Sequence, residues 1–153
     1  MKVNLHTHTY RCNHAVGTER EYIENAISGG IKVLGFSDHA PFVFPDGHES
    51  GYRVPISLAK DYFDTLSALK EEYKDKIEIH IGFEMEYYPL YFEDMLKTVK
   101  DAGAEYLILG QHFIGNEYPE RVYSYSEYDD MQKLCEYTDC IIGGMKTGKF
   151  TYI

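Results

Sequence analysis

Tryptophan is absent from this 153-residue chain, and there are only three cysteines, Cys12, Cys135 and Cys140. A sparse, odd count builds no disulfide framework, and no Cys-x-x-Cys pair is present. Free thiols fit a reducing compartment, so the expected location is the cytoplasm. Cations are also scarce. The 15 Lys and Arg face 25 Asp and Glu, for a formal net charge of −10 with histidine neutral. That balance argues against nucleic-acid binding, which draws on a basic surface. An anionic substrate then requires something that reverses the sign locally, and bound metal ions would do so. No apolar run approaches membrane-spanning length, and no apolar signal core follows Lys2. No membrane partner is expected.

What is present is a regular alternation. "KVNLH" reads as a strand ending at His6, and a loop follows to Val16. "TEREYIENAISGG" reads as a helix, with Thr18 and Glu21 at capping-box spacing and Gly29–Gly30 as its stop. "KVLGFSDH" is a second strand, apolar enough to be buried on both faces. A helix is expected from Ser57 to Tyr73, a third strand in "KIEIHIGFE", and a third helix in "PLYFEDMLKTVKDAG". "EYLILGQHF" is the fourth strand, Glu127 to Ile142 the fourth helix, and "KFTYI" begins a fifth strand. Strict β-α alternation predicts an α/β fold with a parallel sheet covered by helices; open doubly wound sheets and closed barrels both fit.

The chemistry-bearing residues collect at one edge of that sheet. His6 and His8 end strand one, Asp38 and His39 strand two, Glu84 and Glu86 strand three, and His112 strand four. In parallel α/β folds this is the edge where ligands bind. A lone histidine at a strand end is more often a capped or core residue. The "HTH" pair is stronger, because residues i and i+2 of a strand point to one side. Coincidence across four strands makes a metal site the reading. His14 lies within reach in the first loop. Cys12 is as well explained by packing, and His80 by structure. His48 and Arg53 are candidates to touch substrate, with Lys146 and Lys149 as further cations. Imidazole with carboxylate suits Zn, Fe, Mn or Co better than Mg or Ca. The ligands outnumber what one tetrahedral ion needs, so a cluster of two or three divalent ions is expected.

"HTHTYRCNHA", "GFSDHAP", "GFEMEYYP" and "GQHF", in this order, resemble the polymerase-and-histidinol-phosphatase (PHP) superfamily. "HTHTYRCNHA" with "SDHAP" and "FPDGHESGYRVP" is most similar to its bacterial histidinol-phosphate phosphatases. The resemblance spans the chain. It implies a distorted (β/α)7 TIM-like barrel, of which this chain supplies about the first five strands and four helices. Carried over by motif, His6 and His8 would bind a first ion, Glu84 would bridge the first and second, His112 would bind the second, and His14 and His39 the third. Glu86 would support rather than bind. The family's later motifs, an "AHP" histidine after strand five and a C-terminal Asp-x-His, are absent. Residues 1–153 are therefore expected to be one PHP-type domain incomplete at its C-terminus, or to be completed by a partner chain in a homo-oligomer.

The resemblance implies hydrolysis of a small phosphorylated substrate, L-histidinol phosphate, to L-histidinol and phosphate in histidine biosynthesis. A hydroxide held by the metal ions would be the nucleophile. Rival readings are another PHP-type phosphoesterase (a protein-tyrosine phosphatase or a nuclease-like domain), a non-catalytic metal-binding domain, and an amidohydrolase. The acidic surface counts against the nuclease. The amidohydrolase would want a lysine at a strand end, and none is seen there.

Overall fold

A computed structural model describes residues 1–119, 122–125 and 131–153. Its strands are β1 (Lys2–Asn4), β2 (Ile31–His39), β3 (Glu78–Met85) and β4 (Leu107–Leu109). They form one sheet in the order β1-β2-β3-β4, with every pair parallel. Between and after them run α1 (Glu19–Ser28), α2 (Ala59–Tyr73), α3 (Phe92–Asp101) and α4 (Met131–Thr147). The expected fifth strand is marked by a parallel bridge between Tyr152 and Ile108, with Thr151 N donating to Leu107 O at 2.8 Å.

This order separates the two architectures left open by alternation. A doubly wound sheet reverses strand order at a switch point. Here each strand lies beside its predecessor, and right-handed crossovers then keep the helices on one side, as in a barrel wall. The sheet is curled. Its edge strands are three spacings apart, about 14 Å if flat, which is further than one tyrosine reaches. Yet the Tyr106 hydroxyl, beside β4, lies 2.6 Å from the carbonyl of Leu5, beside β1. Two glycines make room for it. A Cβ at Gly82 would lie 2.6 Å from the Tyr106 ring, and one at Gly35 would press on the Tyr106 hydroxyl and on Leu5.

Period-two alternation sorts the two faces. Gly35, Ser37 and His39 of β2 and Gly82 and Glu84 of β3 line the inside of the curl, where His39 pairs in register with Glu84. Leu34, Phe36, Ile79, Ile81, Phe83 and Met85 face the helices and join Ile23, Tyr62, Leu66 and Met95 in one buried cluster. Each such side chain contributes about 1.5–3 kcal/mol. The outer layer is apolar and the inner one polar, so the sheet leaves its interior free for chemistry.

Three boundaries differ from expectation. β1 ends at Asn4, not His6, because the Asn4 side chain accepts from His6 N at 3.0 Å and closes an Asx-type turn. Contact with β2 resumes only where Ser37 N donates to Thr7 O at 2.9 Å. β4 ends at Leu109, and His112 lies beyond it. There the Gln111 side chain replaces backbone pairing: its Oε1 accepts from Tyr87 N at 2.9 Å and its Nε2 donates to Phe113 O at 2.7 Å. The expected start of α4 at Glu127 lies outside the described residues. Its end runs past Ile142 to Thr147, since Gly143 and Gly144 give close approach rather than a stop. A Cβ at Gly144 would lie 2.7 Å from Leu109.

The capping box at α1 forms as expected, with Thr18 accepting from Glu21 N at 3.3 Å and the Glu21 carboxylate accepting from Thr18 N at 2.7 Å.

Candidate metal centre

Four imidazoles meet one carboxylate at the open edge of the curl. Glu84, 3 % exposed, projects from the end of β3. His6 Nε2 lies 3.1 Å and His8 Nε2 3.2 Å from its Oε2, His39 Nδ1 3.4 Å from the same atom, and His112 Nε2 3.6 Å from Oε1. His14 stands beside them, its ring 4.6 Å from His39 and 5.7 Å from His8. Its Nδ1 faces Cys12 O at 2.7 Å, which leaves Nε2 free. Gly110 makes this packing feasible, because a Cβ there would lie 2.6 Å from Glu84 Cδ.

A buried frame holds the first loop. Both Asp38 oxygens are taken by Thr9, through its backbone N–H and, at 2.5 Å, its hydroxyl. Arg11, 3 % exposed, pairs with Glu19 and, at 2.7 Å, with Asp61. Cys12 Sγ sits 3.4 Å from His8 Nδ1. Together these fix the loop that carries His8.

The electrostatics suit a cation. Burial pushes the Glu84 carboxyl up, but hydrogen bonds from His6 and His8, together with the neighbouring imidazoles of His39 and His112, outweigh it and hold the group well below the usual carboxylate range. Burial drives His39 down to about 3, so its imidazole is neutral and has a lone pair. His39 Nδ1 is buried with no hydrogen-bond partner, an orphaned acceptor or donor of the kind native interiors avoid. A metal ion would satisfy it. Two groups of ligand atoms within 4.8 Å of one another follow: His6, His8 and Glu84, and His39, Glu86 and His112. A third, His8, Cys12 and Asp38, meets the same distance limit. Its Asp38 is already committed to Thr9, and burial followed by Asp38 pushes the Cys12 thiol up to about 12. Imidazole and carboxylate donors of this kind fit divalent transition ions.

The residues singled out from sequence fall in two sets. His6, His8, His14, His39, Glu84 and His112 are brought together. His48 and Arg53 are not. His48 stacks on Tyr118, with ring centroids 4.1 Å apart, outside the ligand groups. Arg53, expected to meet substrate, is 2 % exposed, and its guanidinium is engaged by Glu86 at 2.6 Å and Glu117 at 2.8 Å. His80 bonds Glu78 and Glu105 away from the cluster, as a structural reading requires. Thr9, Arg11, Gly110 and Glu117 also build the site without standing out in the sequence. For Glu117 no local pattern signals burial; for Gly110 the signal was a glycine directly after an apolar strand.

The PHP domain model matches residues 4–153, and the chain belongs to that family. A probable histidinol-phosphatase of Deinococcus radiodurans is 28 % identical over 151 residues, covering 97 % of this chain and 57 % of the relative. The histidinol-phosphatase of Bacillus subtilis is 31 % identical over 131 residues, covering 80 % of this chain and 48 % of the relative. The chain thus spans about half the length of these curated relatives. A crystal structure of histidinol phosphate phosphatase from Lactococcus lactis, complexed with zinc, L-histidinol and phosphate, superposes with a TM-score of 0.61 at 27 % identity, over 74 % of this chain and 41 % of that one. A putative histidinol phosphatase from Listeria monocytogenes shares the fold, with a TM-score of 0.68 at 20 % identity over 95 % of this chain and 60 % of that one. No helix among the described residues is long and apolar enough to cross a membrane.

Proposed function

We propose that this chain carries the metal-binding face of a cytoplasmic, metal-dependent phosphate monoester hydrolase whose substrate is L-histidinol phosphate. The observation that carries the reading is the convergence of His6, His8, His39 and His112 on the buried carboxylate of Glu84. The names of the relatives, and the zinc, L-histidinol and phosphate bound by the Lactococcus protein, support it.

We assign His6, His8, His14, His39, Glu84 and His112 as ligands of two or three divalent ions, Zn, Fe or Mn. When bound, such ions lower the pKa of water toward neutrality and neutralise phosphate charge in the transition state. The remaining work belongs to the chain. Glu84 draws four ring nitrogens from three segments, the loop after β1, the end of β2 and the loop after β4, to one point. Cys12 O takes Nδ1 of His14 and so presents its other nitrogen outward. His6, exposed at the rim, leaves the cluster open to a substrate from solvent. A side-chain nucleophile is not required.

The test is phosphate release from L-histidinol phosphate with added Mn or Zn, a chelator control, and a Glu84→Gln variant. Chelator-sensitive release that the variant loses, faster than release from phosphotyrosine or DNA ends, is the expected result. Faster turnover of phosphotyrosine would replace the substrate assignment. Tight metal binding without turnover of any phosphoester would point to a non-catalytic domain.

A further inference from the structure

Behind the imidazole cluster lies a fully buried chain of charges that meets it at His112. Glu86, 1 % exposed, follows β3 and uses its two oxygens in opposite directions. Oε1 lies 3.2 Å from His112 Nδ1, and Oε2 lies 2.6 Å from Arg53 Nη2. Arg53 also donates through Nε to Glu117 Oε2 at 2.8 Å and through Nη1 to Ala40 O at 3.0 Å. Ala40 is the residue after His39, and the neighbouring Val54 N donates to His39 O at 3.1 Å. One guanidinium thus ties together the ends of β2 and β3 and the loop after β4, the three places that deliver His39, Glu84 and His112.

The direction of the Glu86–His112 bond follows from its partners. A carboxylate only accepts, so His112 Nδ1 carries the proton and Nε2 holds the lone pair. That lone pair is the atom facing Glu84. We infer that Glu86 is the positioning residue for His112, fixing its tautomer and ring orientation, and that Arg53, braced by Glu117, holds Glu86 in place. Arg53 is therefore part of the metal site's scaffold and not a contact to the phosphate. Lysine would not replace it, because a point charge cannot serve Glu86, Glu117 and Ala40 from one planar fork.

The inference rests on the assignment of His112 as a ligand but not on the substrate, so its test uses metal binding alone. Ions per chain and zinc affinity, by competition with a chromogenic chelator, are measured for Glu86→Gln, Arg53→Lys and Glu117→Gln, with melting of the chelated proteins as the folding control. The expected result for Glu86→Gln is an unchanged number of ions, bound about 10- to 100-fold more weakly. Arg53→Lys shifts the same way and Glu117→Gln less, which keeps the test alive should Glu86→Gln not fold. In a His112→Ala background, Glu86→Gln adds less than about threefold, because coupled residues are not additive. Unchanged affinity in all three variants overturns the inference. So does loss of one whole ion in Glu86→Gln, which would make Glu86 a ligand. Unchanged metal binding in His112→Ala would overturn both the inference and the ligand assignment beneath it.

Discussion

Replacing Gly110 by alanine tests the metal centre without replacing any proposed ligand. Gly110 is not among the glycines with positive φ, so alanine fits the backbone. Its Cβ, however, would land on Glu84 Oε1 and lie 2.6 Å from Cδ and 2.7 Å from Cγ. Carbon atoms rest at about 3.5–4.0 Å, so the Glu84 side chain must retreat by about 1 Å. It has little room, being 3 % exposed and ringed by His6, His8, His39 and His112. A shift of that size in a preorganised site costs about 100-fold in function. The effect on folding is much smaller. Overpacking costs about 1–3 kcal/mol, and the reduced freedom of the unfolded chain returns about 0.4–1 kcal/mol. At about 2–4 °C per kcal/mol, the chelated protein should melt within roughly 10 °C of the parent. Gly51→Ala is the control, since a Cβ there meets nothing within 4 Å. The assay is bound zinc per chain after gel filtration, beside melting of the chelated protein. Gly110→Ala should fold yet lose metal, while Gly51→Ala keeps it. Parental zinc content in Gly110→Ala would refute the placement of Glu84 at the centre of the site.

Two further outcomes follow from groups outside the proposed ligand set. Glu21 lies below its ordinary pKa, held there by the backbone and side chain of Thr18. A carboxyl with a depressed folded pKa stabilises above its unfolded value, and that contribution is lost as pH falls through the folded one. Urea unfolding of the metal-free protein should therefore depend on pH less steeply in Glu21→Gln at the acid end; an identical slope would contradict the capping box. Among the three cysteines, Cys135 is exposed, while Cys12 and Cys140 are buried. Near pH 8 one thiol should react quickly with a disulfide reagent in the native protein, and three after unfolding. Fast labelling of Cys12 would mean that the loop holding His8 opens.

How much of this was legible depends on the distance over which each signal acts. The capping box and the strand–helix alternation are local, and Thr18, Glu21 and the four parallel strands follow from short stretches of sequence. β1 and β4 end earlier than their sequence patterns suggest, because Asn4 and Gln111 use their side chains where a ladder would use backbone. The histidines still reach the expected edge. A chain leaving a parallel strand continues past the same rim, so residues two or three positions further on still arrive there. Arg53 is the opposite case. In "GYRVP" it reads as one loop cation among many, free to meet a phosphate. Its partners Glu86 and Glu117 lie 33 and 64 residues away, and no spacing rule links them. Burial alone changes the meaning of the charge. Removing Arg53 would strand two carboxylates in the interior at a cost of about 3–5 kcal/mol. The same side chain that sequence assigns to the ligand is therefore, by its environment, committed to the frame behind it.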